Sequence, residues 1–89
     1  MAQAQESNIV FSRHAVAQMA ERKISHDAVI ETLKMYKRVV VQSDGRKRAT
    51  QLVRRNKKNY ALVVIYSEVR GVITVVTVFM TSKLMKYFK

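Results

Sequence analysis

The sequence of 89 residues contains no cysteine. A disulfide framework and a zinc site with cysteine ligands are therefore excluded. The two histidines, His14 and His26, are too far apart in sequence to form a ligand pair one helical turn apart. We expect neither a structural metal nor a cofactor.

Glycine and acidic residues are also scarce. Two isolated glycines cannot build a phosphate-binding loop, and no nucleophile elbow or metal-binding motif is present. Most classes of enzyme therefore lack the motif on which they depend. Six acidic residues stand against 17 lysines and arginines, so the formal net charge is +11.

No long apolar segment occurs in the chain. The longest uncharged run, residues 71–82, is much shorter than the ~20 residues of a membrane-spanning helix. Residues 1–8 are polar and are expected to form a flexible N-terminus. A hydrophobic fraction of 48% is typical of a folded domain, and the length allows one small domain only. We expect a cytoplasmic protein that does not bind membranes.

The basic residues are concentrated in the middle of the sequence. Residues 34–58 contain ten lysines and arginines and one acid, Asp44, and so hold +9 of the +11 charges. Such a surface attracts polyanions and binds phosphates through counterion release. Nucleic acid is the first partner to consider, followed by an acidic protein and then by an anionic membrane surface. The alternative is a solvated surface that only keeps the domain soluble.

Two amphipathic helices are predicted in the first half of the chain. A short strand over residues 8–11 precedes Ser12, a candidate N-cap for a helix over residues 13–23. Ser25 is the candidate cap of a second helix that ends at about Tyr36, and Asp27 suits the positive end of its dipole.

Extended segments follow. A strand over residues 38–43 leads into Asp44-Gly45, a strong hairpin signal, and a strand over 46–55 leaves it. Strands over 60–66 and 72–80 are apolar on both faces and should be central. We predict an α+β two-layer domain over residues 9–83, with a short N-terminal strand and two helices packed on a four-stranded antiparallel meander. Residues 84–89 are a C-terminal tail, either a helical turn or a segment that orders on a partner.

The available side chains suit one reaction, the cleavage of RNA without a metal ion. This reaction needs groups that transfer protons and cations that stabilise the charge on the phosphorane. His14, in the first turn of the first helix, is a candidate for proton transfer; the alternative is a histidine that hydrogen-bonds a backbone carbonyl. Arg48 and Arg54 share one strand face and are candidates for transition-state stabilisation, although such residues also protect sheet edges. The candidates for RNA binding are Arg46, Lys47, Arg55, Lys57, Lys58 and Lys83.

The segment Phe11-Ser12-Arg13-His14-Ala15, followed by Met19, Arg22 and Ile24, resembles a family of small RelE/BrnT-related toxin-like domains, most of them of unknown function. The resemblance extends over about residues 9–83. It implies a barnase/RelE-like fold and an RNA-cleaving toxin that acts on free RNA or on the ribosome and is inhibited by an acidic antitoxin. It also implies roles for His14, for Arg22, and for Arg48 or Arg54.

Two other functions compete with a metal-independent endoribonuclease. A non-catalytic nucleic-acid-binding module would need only the basic window. A protein-interaction domain would use its basic face and the aromatic tail at Tyr87 and Phe88 to bind an acidic partner. Loss of cleavage on substitution of His14, with RNA affinity retained, would distinguish the enzyme from the binding module.

Overall fold

The computed structural model describes residues 8–35 and 39–88. Tyr36 and Arg38, predicted to end the second helix and to begin the next strand, lie outside these residues, as do residues 1–7 of the predicted flexible N-terminus. The elements in chain order are β1 (Ile9–Phe11), α1 (Arg13–Arg22), α2 (His26–Met35), β2 (Val39–Val41), β3 (Lys47–Arg55), β4 (Lys58–Val69), β5 (Val72–Thr81) and α3 (Leu84–Tyr87).

The five strands form one mixed sheet in the order β1-β5-β4-β3-β2. Strands β2 to β5 make an antiparallel meander, and β1 joins the outer side of β5 in parallel. Strands β4 and β5 have neighbours on both sides, as their apolar sequences predicted. The predicted α+β two-layer fold is confirmed.

Helices α1 and α2 cover one face of this sheet. Helix α1 packs on β5, and α2 packs on β3 and β4. The core lies between the two layers, and its largest buried members include Met19, Val29, Leu33, Leu62, Val64, Tyr66, Val75 and Val78. The opposite face, called the open face below, carries only the four-residue helix α3 among the described residues. No helix in residues 8–35 or 39–88 is long and apolar enough to cross a membrane.

The hairpin turns differ from the sequence predictions in their length. Arg70 and Gly71 both have positive φ, as do Asn56 and Lys57. Two consecutive residues of this kind make a two-residue turn that suits the twist of a hairpin. Strand β4 therefore runs from Lys58 to Val69 and is longer than the predicted 60–66.

The turn between β2 and β3 was predicted at Asp44-Gly45 and is found there. The backbone N–H of Gln42 donates to the carbonyl of Arg46 at 2.7 Å, so the loop has three residues. Gly45 has φ +90, and the carboxylate of Asp44 accepts from the N–H of Arg46 at 3.0 Å. The glycine supplies the backbone conformation that closes this loop.

Both predicted helix caps are confirmed. The hydroxyl oxygen of Ser12 accepts from the N–H of Ala15 at 3.0 Å, and that of Ser25 accepts from the N–H of Ala28 at 3.1 Å. Ser12 does more than cap, because its hydroxyl also donates to the carbonyl of Val76 on β5 at 3.1 Å. Ser12 therefore fixes the start of α1 to the sheet.

We predict that Ser12→Ala lowers the free energy of unfolding more than Ser25→Ala does. Loss of a cap costs about 1 kcal/mol, and loss of the hydrogen bond to β5 adds about 1 kcal/mol for Ser12 only. Urea unfolding of the two variants measures the difference. Equal destabilisation would show that the bond between Ser12 and the sheet contributes nothing.

Candidate nucleic-acid interface

Strand β3 distributes its side chains between the two faces of the sheet. Ala49 belongs to the core beneath the helices, and the side-chain oxygen of Gln51 accepts from the hydroxyl of Thr32 on α2 at 2.6 Å. Because side chains alternate along a strand, Arg48 and Arg54 point to the open face. This is the alternation that the sequence predicted.

Arg48 is partly buried on the open face. Its guanidinium carbon lies over the ring of Tyr87, 5.1 Å from the ring centroid, which is a cation–π geometry. Tyr87 is itself fixed by an edge-on contact with Phe79, with 5.9 Å between ring centroids. The sheet and α3 together hold the guanidinium in one place.

Within residues 8–35 and 39–88, the charge of Arg48 is not neutralised. Its Nε is buried and has no hydrogen-bond partner, and no carboxylate in the described residues pairs with the guanidinium. A buried donor without a partner is costly in a folded protein, and a desolvated cation more so. An anion bound at the open face would balance the charge of this guanidinium.

The rest of the open face is also basic. The ammonium of Lys86 lies 5.6 Å from the centroid of the Tyr87 ring, on the same helix, and Arg54 is exposed further along β3. The acidic residues of the described ranges lie in other places: Glu21 on α1, Asp27 and Glu31 on α2, Asp44 in the β2–β3 turn, and Glu68 beside Lys47. The open face therefore has a positive potential that no carboxylate of the described residues offsets.

His14 does not lie with these arginines. It is exposed on α1, which packs on the helix-covered face of β5, whereas Arg48 and Arg54 point to the opposite face of β3. Strand β4 separates β5 from β3. Arg48 and Arg54 are also about 20 Å apart along the strand, too far to contact one phosphate. The structure therefore does not bring the three predicted catalytic residues together.

Arg55 has a different role from the one predicted for it. Its guanidinium donates to the carbonyls of Arg22 and Lys23, both at 3.0 Å, at the C-terminal end of α1. These carbonyls have no partners within the helix, and a cation there also interacts favourably with the helix dipole. Arg55 thus ties β3 to α1 on the helix-covered side.

The other predicted binding residues fall into two groups. Arg46 and Lys47 are each near a carboxylate, with Arg46 3.9 Å from Asp44 and Lys47 3.2 Å from Glu68. The second group is exposed at the end of the sheet where Arg54 lies. It consists of Lys57 in the β3–β4 turn, Lys58 at the start of β4 and Lys83 just before α3. This second group extends the positive surface beyond Arg54.

Lys86 and Tyr87 were not among the predicted site residues. Their sequence signal is the alternation of lysines with aromatic residues after Lys83, which predicted a helical turn or a segment that orders on a partner. Only the structure shows that this segment folds back onto β4 and places Tyr87 under Arg48.

Fold and surface together define a small basic α+β domain with one uncovered sheet face. The chain belongs to the family described as a domain of unknown function (DUF4258), whose model matches residues 11–80. The expectation of a family of unknown function is confirmed, whereas the relationship to RelE and BrnT toxins stays a prediction. Neither the curated proteins nor the solved structures gave a significant match.

We predict that Arg55→Ala destabilises the protein and that Arg54→Ala does not. Arg55→Ala should lower the free energy of unfolding by about 1 kcal/mol, because two carbonyls at the end of α1 lose a charged donor. Arg54→Ala, at an exposed position, should stay within about 0.5 kcal/mol of the parent. Urea unfolding tests both, and a stability loss confined to Arg54→Ala would contradict the assignment of Arg55 to the helix end.

Proposed function

We propose that this protein binds RNA through the open face of its sheet. The observation that supports this most strongly is Arg48, a partly buried guanidinium whose Nε has no partner, on a face where the described residues place no carboxylate. Guanidinium groups bind phosphate through two parallel hydrogen bonds. Tyr87 contacts the guanidinium without neutralising it, so Arg48 keeps the positive charge that a phosphate would bind.

Single-stranded RNA suits this surface better than a duplex. An open sheet that combines aromatic rings with cations is typical of proteins that bind unpaired bases and track the backbone. Tyr87 and Lys86 on α3, with Arg48 on β3, form such a combination. The resemblance to RelE-related toxins over residues 9–83 supports RNA as the ligand.

A second candidate function is metal-independent cleavage of the bound RNA by a toxin that an acidic antitoxin controls. It is favoured by the close grouping of Arg48, Tyr87 and Lys86, since tyrosine and lysine transfer protons and arginine stabilises negative charge. The 2′-oxygen would lose its proton to a base and attack phosphorus. The bond to the 5′-oxygen would break as that oxygen gains a proton, which leaves a 2′,3′-cyclic phosphate and a 5′-hydroxyl. In this arrangement His14 takes no part.

We predict that Arg54→Ala and Arg48→Ala each weaken RNA binding, whereas Arg13→Ala, at an exposed position on α1, does not. Loss of one phosphate contact also reduces the magnitude of the slope of log K against log salt concentration by about 1. Fluorescence anisotropy of a labelled single-stranded RNA at several KCl concentrations measures both quantities, with circular dichroism as the control for folding. If Arg13→Ala weakened binding as much as the other two, the charge alone and not the open face would be responsible.

Cleavage is tested with total RNA in the presence of EDTA and, separately, with translating ribosomes in the magnesium buffer that they require. If the second candidate is correct, Tyr87→Phe and Arg48→Lys should each reduce the rate by about 10²-fold or more, because the first removes a hydroxyl and the second the planar donor. His14→Ala should leave the rate unchanged. Absence of cleavage in both formats, with RNA binding intact, would eliminate this candidate and leave the binding function alone.

A further inference from the structure

The outermost strand of the meander, β2, consists of three valines, and all of them are exposed. Val39, Val40 and Val41 have relative exposures of 39%, 45% and 65%. Strand β2 lies at the end of the sheet, beyond the strands on which the two long helices pack. Three adjacent aliphatic side chains therefore face solvent on both sides of one strand.

The backbone of β2 also presents free hydrogen-bonding groups. The N–H of Gln42 bonds to the carbonyl of Arg46, so residues 42 and 46 form a hydrogen-bonded pair. Because such pairs alternate along an antiparallel ladder, Val40 bonds to Arg48, and the N–H and C=O groups of Val39 and Val41 point away from β3. None of the described residues forms a strand on that side.

Exposed edge strands in natural proteins are usually blunted by lysine, proline or a bulge. Strand β2 has no lysine and no proline, and its register with β3 is regular. Its short length limits aggregation but leaves room for a partner segment of a few residues. An apolar edge without lysine, proline or a bulge is a template for the addition of a strand.

Charge selects the partner. Arg46 follows the turn, Arg48 pairs with Val40, and the chain as a whole has a net charge of +11. A second copy of this chain would bring the same charges to the interface and be repelled. The negative charge of Asp44 in the turn is offset by the nearby Arg46. An acidic segment would instead be attracted by these positive charges.

We propose that the outer edge of β2 pairs with an extended, acidic segment of another protein. The backbone of the segment bonds to Val39 and Val41, its apolar side chains contact the valines, and its carboxylates face the neighbouring arginines. This interface uses the edge of the sheet, which adjoins the open face at Arg48, the partner of Val40 in the β2–β3 pairing.

The test uses a synthetic peptide of alternating glutamate and valine, titrated into the ¹⁵N-labelled protein and followed by NMR. The amides of Val39 and Val41 should shift the most. Two control peptides should not bind: one with lysine in place of glutamate, and one that is N-methylated on the backbone nitrogens that face β2. The second control removes strand pairing without any change to the protein.

Val41→Pro is the matched protein variant. Proline is tolerated where a strand N–H faces solvent, so this variant should keep its thermal stability and its RNA affinity but lose the peptide. No binding of the acidic peptide at about 1 mM would overturn the proposal. Equal binding of the N-methylated peptide would also overturn the proposal. A concentration-dependent dimer that Val41→Pro abolishes would do the same, because the β2 edge would then bind a second copy of this chain. RNA affinity is measured separately, so failure here is distinguishable from failure of the proposed function.

Discussion

Two helices of ten residues each must cover a sheet of five strands, and both lie on the same face. A chain of 89 residues has no material for a full third layer. The other face receives only α3, whose Tyr87 packs on Phe79, and fully buried Ala61 and Val63 lie on this face of β4. The remainder of that face stays open, and the proposed RNA-binding surface depends on this asymmetry.

The two faces of the sheet differ in charge as well as in how much of each is covered. The carboxylates of α1, α2 and β4 lie with the helix layer, where Glu68 balances Lys47. Arg48, on the other side, has an aromatic ring in place of an acid. Contact with Tyr87 offsets part of the cost of desolvation without neutralising the charge. A cation stabilised in this way remains attractive to phosphate, whereas a salt-bridged one would first have to break its pair.

Local features of the fold follow from the sequence because they depend on near neighbours. The caps at Ser12 and Ser25, the turn at Asp44 and the alternation along β3 are all confirmed. The assignment of side chains to a common site could not be predicted in the same way. Whether His14 lies beside Arg48 is decided by the face on which α1 packs, and periodicity marks a buried stripe without saying which face of the sheet it contacts.

Long-range hydrogen bonds explain the other differences. Arg55 donates to carbonyls more than thirty residues earlier in the chain. The only sequence signal that distinguishes Arg55 from Arg54 is the alternation along β3, which places the two side chains on opposite faces of the sheet. The tail at Tyr87 carries a strong apolar and basic signal, but its docking site on β4 depends on the surface that the helices leave uncovered. Both features arise from tertiary packing, which one sequence does not encode in a local pattern.

The central claim, that the open face is where RNA binds, is tested most directly by NMR. A short single-stranded RNA titrated into the ¹⁵N- and methyl-labelled protein at low salt should perturb Arg48, Ile65 and the residues of α3, and leave the exposed side of α1 and α2 unchanged. Perturbations centred on α1 and α2, or spread evenly over the surface, would contradict the account.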